Sequence, residues 1–533
     1  MRQRLGRIFP FIAILFIFVV LIFPNRLSLM APSAFISLPI EGLVLGFILL
    51  IPNKLGSVLR YLVALCLTLD IVLKVADIGT YQFFDRGFNP VVDSHFWIDG
   101  LNFLQGAVGE LGSLLIIVTL LGLVMGLILF VAILLKTIQI TLQKAFKASI
   151  LSLSIGVTLW FILLLTGSSM ATKPFYQLIN QHIHQTVTGL EDLATFNQEL
   201  SLDPYATVPE DKLFSKLKGK DVLVVFIESY GRTVLDKKSY ADHVRPVLEQ
   251  ANNQLTQKGF MTRSAYITSP TYGGISWLAH GTLMSGLWVN NQTRYDRLVA
   301  SNRSSLNRLF KRAGWRTLAV QPAHTMAWPQ GEYFGYDQIY AAQDLGYKGK
   351  PFNWITMPDQ YTLSAFHARE LTDRPRNPVM AEIALISSHA PWTPLPHLID
   401  WNQVADGQVF IEQATAGESA ETVWKDTERI REHYRKSIEY ALSNLASFIS
   451  TYGNNNWVVL MLGDHQPVPF VTEESDRREV IAHIITKDTK LLEAIKDWQW
   501  TEGMIPADHT PIIGMDKLRD QFISSYSTFS PQQ

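Results

Sequence analysis

Five apolar runs crowd into the first third of the chain, at residues 8–23, 34–51, 61–76, 111–135 and 150–167. Each approaches the roughly 20 residues that a helix needs to cross the hydrocarbon core of a bilayer. They predict a transmembrane domain of five helices over residues 1–170. The first run also has the length of a signal peptide, but no small-residue cleavage site follows it and four more runs do.

Lysine and arginine set the expected orientation, because they favour cytoplasmic loops. Arg2, Arg4 and Arg7 precede the first run. Lys54 and Arg60 follow the second, and Lys136, Lys144 and Lys147 follow the fourth, whereas only Arg26 separates the first from the second. The N-terminus is therefore expected inside, and five crossings put everything after residue 167 outside. This describes a multi-pass protein of the cell inner (cytoplasmic) membrane. Asp70 and Lys74 stand one helical turn apart inside the third run, with Asp77 beyond. Ionisable groups in a span are costly and often functional; the competing reading is that the span ends early and Lys74 snorkels to the interface. The outer loop at 79–110 is rich in aromatics, which favour the membrane–water boundary.

Composition removes other classes. Lys and Arg number 46 against 47 Asp and Glu, so nothing in the charge favours nucleic acid. The single cysteine, Cys66, excludes a disulfide framework and a thiolate zinc cluster.

Residues 171–220 read as a linker: 175–200 have helical periodicity, and 202–220 are polar with Pro204 and Pro209. From 221 to 533, short apolar runs alternate with amphipathic stretches. Strands are expected at 221–227, 317–321, 379–386, 457–462 and 480–486, and helices at 241–258, 276–284, 304–313, 426–451 and 515–525. The alternation predicts an α/β domain with a mostly parallel central sheet sandwiched by helices. Sites in such sheets form beyond the carboxyl ends of the strands.

Four sets of polar residues stand there or nearby. Glu228 follows an apolar strand directly; it is a metal-ligand candidate or a helix cap. Asp464 and His465 follow a second strand, and carboxylate plus imidazole suits Zn²⁺ or Mn²⁺, with a helix-capping Asp as the alternative. Ser276 follows Gly273-Gly274 and opens a helical pattern, where unpaired N–H groups and the dipole favour a phosphoryl group; as a plain residue type it is equally an N-cap. His389, in Ser387-Ser-His-Ala-Pro, ends a third strand and is placed to bond a phosphate oxygen or protonate a leaving alkoxide. His324 and His280 are secondary candidates.

In this order the four pieces resemble the alkaline phosphatase/sulfatase superfamily, and within it the lipoteichoic acid synthase-like phosphoglycerol transferases and their phosphoethanolamine transferase relatives. The resemblance implies that Glu228, Asp464 and His465, with Ser276, hold one divalent ion (Mn²⁺, Zn²⁺ or Mg²⁺). It makes Ser276 the nucleophile, where these enzymes usually carry Thr, and puts His389 on the substrate phosphate. Trp328 resembles an aromatic residue near the headgroup, with His324 and His280 as further substrate contacts. An Arg is expected two residues after that aromatic, and this chain has Gln330. A sulfatase proper needs Pro or Ala at +2 and Arg at +4 from the nucleophile; Leu278 and His280 stand there. Lipid A phosphoethanolamine transferases usually have disulfides in this domain, and it has none.

The expected activity is therefore transfer of a phospho-headgroup from a membrane phospholipid donor to a glycan or polymer acceptor, through a phosphoserine. The alternative is an extracytoplasmic phosphodiesterase or phosphatase using water. A non-catalytic receptor with the same fold and a polytopic transporter fit the four strand-end sets and the large outer domain less well.

Overall fold

The computed structural model describes residues 2–529 except Asp85, Val91, Val92, Ser94, Ala327, Asp373 and Arg374; the side chains at 2–7, among them Arg2, Arg4 and Arg7, lie outside the described residues. The chain forms two compact units, Met1–Gln82 with Arg86–Asp192, and Phe83–Asp85 with Leu193–Gln533.

Each of the five apolar runs of the first unit overlaps a helix: Arg2–Ile22, Ile40–Leu50, Asn53–Phe84, His95–Lys144 and Phe146–Leu165. Among the described residues, Gly100–Lys144 and Phe146–Leu165 are long and apolar enough to cross a membrane. Ile8–Ile22 and Ile40–Leu50 are apolar but shorter. The second run departs most from expectation. Its helix has 11 residues, which at 1.5 Å per residue reach about 16 Å of the ~30 Å hydrocarbon core. Pro39 precedes it, and Leu38–Pro39 pairs instead with Ala171–Thr172 in a two-stranded sheet. The expected loop at 79–110 is largely helical, since Asn53–Phe84 runs into it and His95–Lys144 begins within it.

The third run lies in a longer helix that carries its ionisable residues. That helix continues to Phe84, and Asp70, Lys74 and Asp77 are all buried. Lys74 pairs with Asp70 at 2.9 Å and donates to the carbonyls of Val20 and Leu21 at 2.7 and 3.0 Å. Those carbonyls belong to the last turn of Arg2–Ile22, where helix carbonyls lack intrahelical partners.

The second unit is built on one nine-stranded sheet. Its strands are β1 (Asp221–Ile227), β2 (Met261–Thr268), β3 (Arg316–Gln321), β4 (Gln338–Ala341), β5 (Val379–Leu385), β6 (Trp457–Gly463), β7 (Glu479–Thr486), β8 (Thr501–Glu502) and β9 (Ile513–Gly514). The order is β8-β2-β7-β6-β1-β5-β3-β4, with β9 also against β2. Side chains alternate across a strand, so an uninterrupted apolar strand feeds two cores. In β1, Leu223, Val225 and Ile227 enter one core, and Val222, Val224 and Phe226 enter the other. Helices Lys238–Gln257 and Thr427–Tyr452 cover the first face; Ser276–Ser285, Leu306–Arg312 and Met515–Tyr526 cover the second.

The sheet is mixed. Strands β6-β1-β5-β3-β4 are parallel, while β7 runs antiparallel to both β6 and β2. A parallel return from β6 needs a crossover, usually a helix. Between Gly463 and Glu479 only the single turn Pro469–Thr472 is helical, so the chain doubles back. Strand β2, absent from the expected set, reads Met-Thr-Arg-Ser-Ala-Tyr-Ile-Thr, with three polar residues together before its short apolar stretch.

Candidate active site

Strand order brings the motifs together. Strand β1 lies between β6 and β5, so the residue after β1, Glu228, has Asp464-His465 on one side and Ser387-Ser388-His389 on the other. The loop after β2 reaches the same place through Gly273, whose N–H donates to the Gln466 carbonyl at 2.9 Å. That loop is tightly turned. Gly273, Gly274 and Ile275 have φ of 73°, 152° and 61°. A β-branched residue in the left-handed region is strained by roughly 1–3 kcal/mol and persists only where its surroundings enforce it.

The turn sets Ser276 at the first position of its helix. The flanking cap is Ile275, which makes no side-chain capping bond, so Ser276 is not an N-cap. Its Oγ donates toward Glu228 Oε2 at 3.0 Å and lies 3.1 Å from His465 Nε2. His465 Nε2 is 3.2 Å from Glu228 Oε1 and 3.7 Å from Asp464 Oδ2. One ligand atom from each of Glu228, Asp464 and His465 falls within 4.8 Å of the others. Neither acid caps a helix by its free oxygens: Asp464 Oδ1 accepts from the backbone N–H of Ser229 and His465, and Glu228 Oε1 accepts from Ser229 Oγ.

The donor set fits a divalent cation. Two carboxylates, an imidazole and a hydroxyl converge, with ligand atoms spaced near what bonds of about 2.0–2.2 Å to one ion require. His465 Nδ1 is 2.8 Å from the Gln466 carbonyl, so it carries the proton and Nε2 faces the carboxylates. Electrostatics agree. Burial alone would raise the Glu228 carboxyl, but the charge and hydrogen bond of His465 outweigh it and lower it. Burial, with the charge of Glu228, pushes Asp464 up to about 6. Burial opposes the charged form of His465, yet Asp464 and Glu228 push it up to about 9. The two carboxylates thus hold a place for positive charge.

A cavity of about 340 Å³ opens beside these groups. His389, Trp328, His324 and His280 all line it with Ser276, Glu228 and Asp464. His389 Nδ1 is 2.6 Å from the Ala390 carbonyl, which leaves Nε2 for a ligand. His324 meets Trp328 edge-on at 4.7 Å, and burial lowers its imidazole. His280 Nδ1 pairs with Glu382 at 2.7 Å. Lining residues that escaped sequence reasoning include Glu382, Trp277, Trp354 and Tyr295. Glu382 was visible as one charge inside an apolar strand; the two tryptophans carried no pattern.

Fold and donor set together define an alkaline phosphatase-like α/β domain with a candidate metal site. The chain belongs to the sulfatase family, whose sequence model matches residues 220–505. No curated protein matches it in sequence. Among solved structures it is similar to the lipoteichoic acid synthase LtaP from Listeria monocytogenes, at 16% identity and TM-score 0.38, over 60% of this chain and 75% of that one. The phosphoglycerol transferase GacH of Streptococcus pyogenes, in complex with sn-glycerol-1-phosphate, is similar at 13% identity and TM-score 0.40, over 64% and 83%. The C-terminal periplasmic domain of EptC from Escherichia coli is similar at 16% identity and TM-score 0.35, over 50% and 72%.

Proposed function

We propose that this chain is a membrane-bound, metal-dependent transferase that moves a phospho-headgroup, phosphoglycerol or phosphoethanolamine, from a phospholipid to a hydroxyl of a glycan or polymer. In this reading residues 1–170 form a transmembrane domain of five helices with the N-terminus inside, 171–220 link it, and 221–533 catalyse outside the inner membrane. The observation that carries it is Ser276 Oγ, 3.0 Å from Glu228 and 3.1 Å from His465 at the start of a ten-residue helix.

Glu228, Ser276, Asp464 and His465 would hold the divalent ion, which supplies Lewis-acid polarisation of phosphate oxygen and acidifies a hydroxyl. Ser276 passes its Oγ proton to Glu228 Oε2, to which it already donates, and attacks phosphorus; the P–Oγ bond forms as the P–O bond to diacylglycerol breaks. His389 Nε2 gives a proton to the leaving oxygen. In the second step the acceptor hydroxyl returns a proton to His389 and displaces Ser276, which recovers its own. The helix N-terminus opposes the charge developing on the phosphoryl oxygens. Anchoring in the bilayer keeps the lipid donor at high local concentration.

Intact-mass analysis of the detergent-solubilised chain after exposure to phosphatidylglycerol or phosphatidylethanolamine tests this. The expected result is a headgroup-sized adduct that maps to Ser276 and is lost in Ser276→Ala, with turnover down at least about a thousandfold. Undiminished turnover in Ser276→Ala would sink the proposal. Free headgroup phosphate without labelled glycan would make water the acceptor.

A further inference from the structure

Glu382 is a carboxylate in the middle of β5, flanked by Val224 of β1 and Ala319 of β3, and is 1% exposed. Burying a carboxylate is costly unless it is paired, and an apolar side chain of similar volume fills such a place at lower cost. Its position is nonetheless carefully supported. Tyr336 donates its hydroxyl to Oε2, Asn307 Nδ2 approaches the same oxygen at 3.5 Å, and His280 Nδ1 meets Oε1 at 2.7 Å. A carboxylate has about four acceptor positions, so three donors leave capacity unused. His280 sits one turn after Ser276, stacked on Phe226 at 3.8 Å, and both members of the pair line the cavity that contains Ser276.

Glu228, Asp464 and Glu382 line the cavity, and among the described residues no lysine or arginine does; its basic side chains are His280, His324 and His389. A divalent ion held by Glu228 and Asp464 would leave Glu382 with His280 as its basic partner on the wall. The remaining walls include the aromatic rings of Trp328, Tyr295 and Phe226, whose faces attract cations.

We propose that Glu382, with His280 in front of it, is the subsite that reads the head beyond the transferred phosphate, and that it selects a small alkylammonium head of the ethanolamine type over an uncharged polyol. The inference rests on the headgroup-transfer reading above. A zwitterionic head carries its own cation to the Glu382 carboxylate, whereas a glycerol head adds only the negative phosphate.

The test uses the full chain in nanodiscs loaded with acyl-labelled phosphatidylethanolamine or phosphatidylglycerol, reading release of labelled diacylglycerol. The wild type is expected to favour the ethanolamine lipid in kcat/KM by at least about tenfold, and Glu382→Gln to lower that ratio by about tenfold, the size of one hydrogen bond to a charged group. A wild type that turns over the glycerol lipid equally or faster overturns the inference, as does a Glu382→Gln ratio equal to wild type. Inhibition of the wild type by soluble phosphoethanolamine and glycerol 3-phosphate gives the same answer without a variant: the former is expected to inhibit at lower concentration, and equal inhibition counts against the subsite. Ser276→Ala separates the two readings. Release that persists in Ser276→Ala, or is absent from the wild type with both lipids, removes the transfer reading itself; Ser276-dependent release that prefers glycerol removes only this one.

Discussion

Asp70 and Lys74 in the N-terminal unit, and Glu228, Asp464 and His465 in the C-terminal unit, are all buried ionisable groups, but they are balanced differently. Lys74 neutralises Asp70 and also satisfies the Val20 and Leu21 carbonyls. Nearby Asp77 accepts from Asn25 Nδ2 at 2.6 Å and the Phe88 N–H at 2.8 Å, and stands 3.3 Å from His182. The Asp70–Lys74 pair is balanced in charge, although Asp70 Oδ1 and both ring nitrogens of His182 make no hydrogen bond among the described residues. In the C-terminal unit two carboxylates face one imidazole, and a serine hydroxyl is drawn among them. Paired charge marks a structural role, and surplus charge marks a place for a ligand.

The contrast breaks most readily at Lys74. Lys74→Met strands the Asp70 carboxylate and two carbonyls, and removal of one partner of a buried pair costs about 3–5 kcal/mol. The expected outcome is a large loss of stability in detergent, with turnover per folded molecule unchanged. Asp70→Asn combined with Lys74→Met should recover much of the loss. If Lys74→Met folds normally but ends turnover, the cluster is functional and the contrast is wrong.

The next effect belongs to the surplus charge. Mn²⁺ or Zn²⁺ added to chelator-treated protein should raise the melting temperature. The gain expected at a hundredfold excess over Kd is about 2.7 kcal/mol. Asp464→Asn should abolish the shift and the activity together without lowering the metal-free melting temperature, because it removes one of two like charges. An unchanged metal shift in Asp464→Asn would mean that the ion binds elsewhere.

The sequence carried this contrast unevenly. Strands such as 221–227 and 457–462 were legible because burial on both faces leaves an uninterrupted apolar run. Glu228, Asp464 and His465 were legible because they interrupt those runs at their ends. Strand β2 was missed: Met261–Thr268 mixes Arg263 and Ser264 with apolar residues and lacks a buried strand's signature. The direction of β7 was not legible either, since pairing depends on what the connection does rather than on the strand's own residues. In the N-terminal unit hydropathy located the helices but not their lengths, because Pro39 and the two-stranded pairing at Leu38 shorten the second. The bonds from Lys74 reach carbonyls some 50 residues away, which no local pattern encodes.

The smallest effect tests a complete site inside the C-terminal unit. His483 is fully buried in β7. Ser264 Oγ donates to the Gly503 carbonyl at 2.6 Å, so His483 Nδ1, 2.6 Å from that oxygen, carries the proton, and Nε2 accepts from Tyr230 at 3.2 Å. The neutral ring is satisfied on both sides, and burial lowers its pKa to about 3. The unfolded chain binds this proton near pH 6.5 and the folded chain does not. Stability from His483 is therefore complete above pH 6.5 and is lost progressively as pH falls toward 3, by about 1.4 kcal/mol per unit. Denaturant midpoints of metal-free protein between pH 6.5 and 5 should fall with this slope, and the slope should be shallower by one proton in His483→Gln. Equal slopes in the two proteins would show that His483 titrates normally when folded, and that hydrogen-bond completeness does not predict which buried groups resist charge.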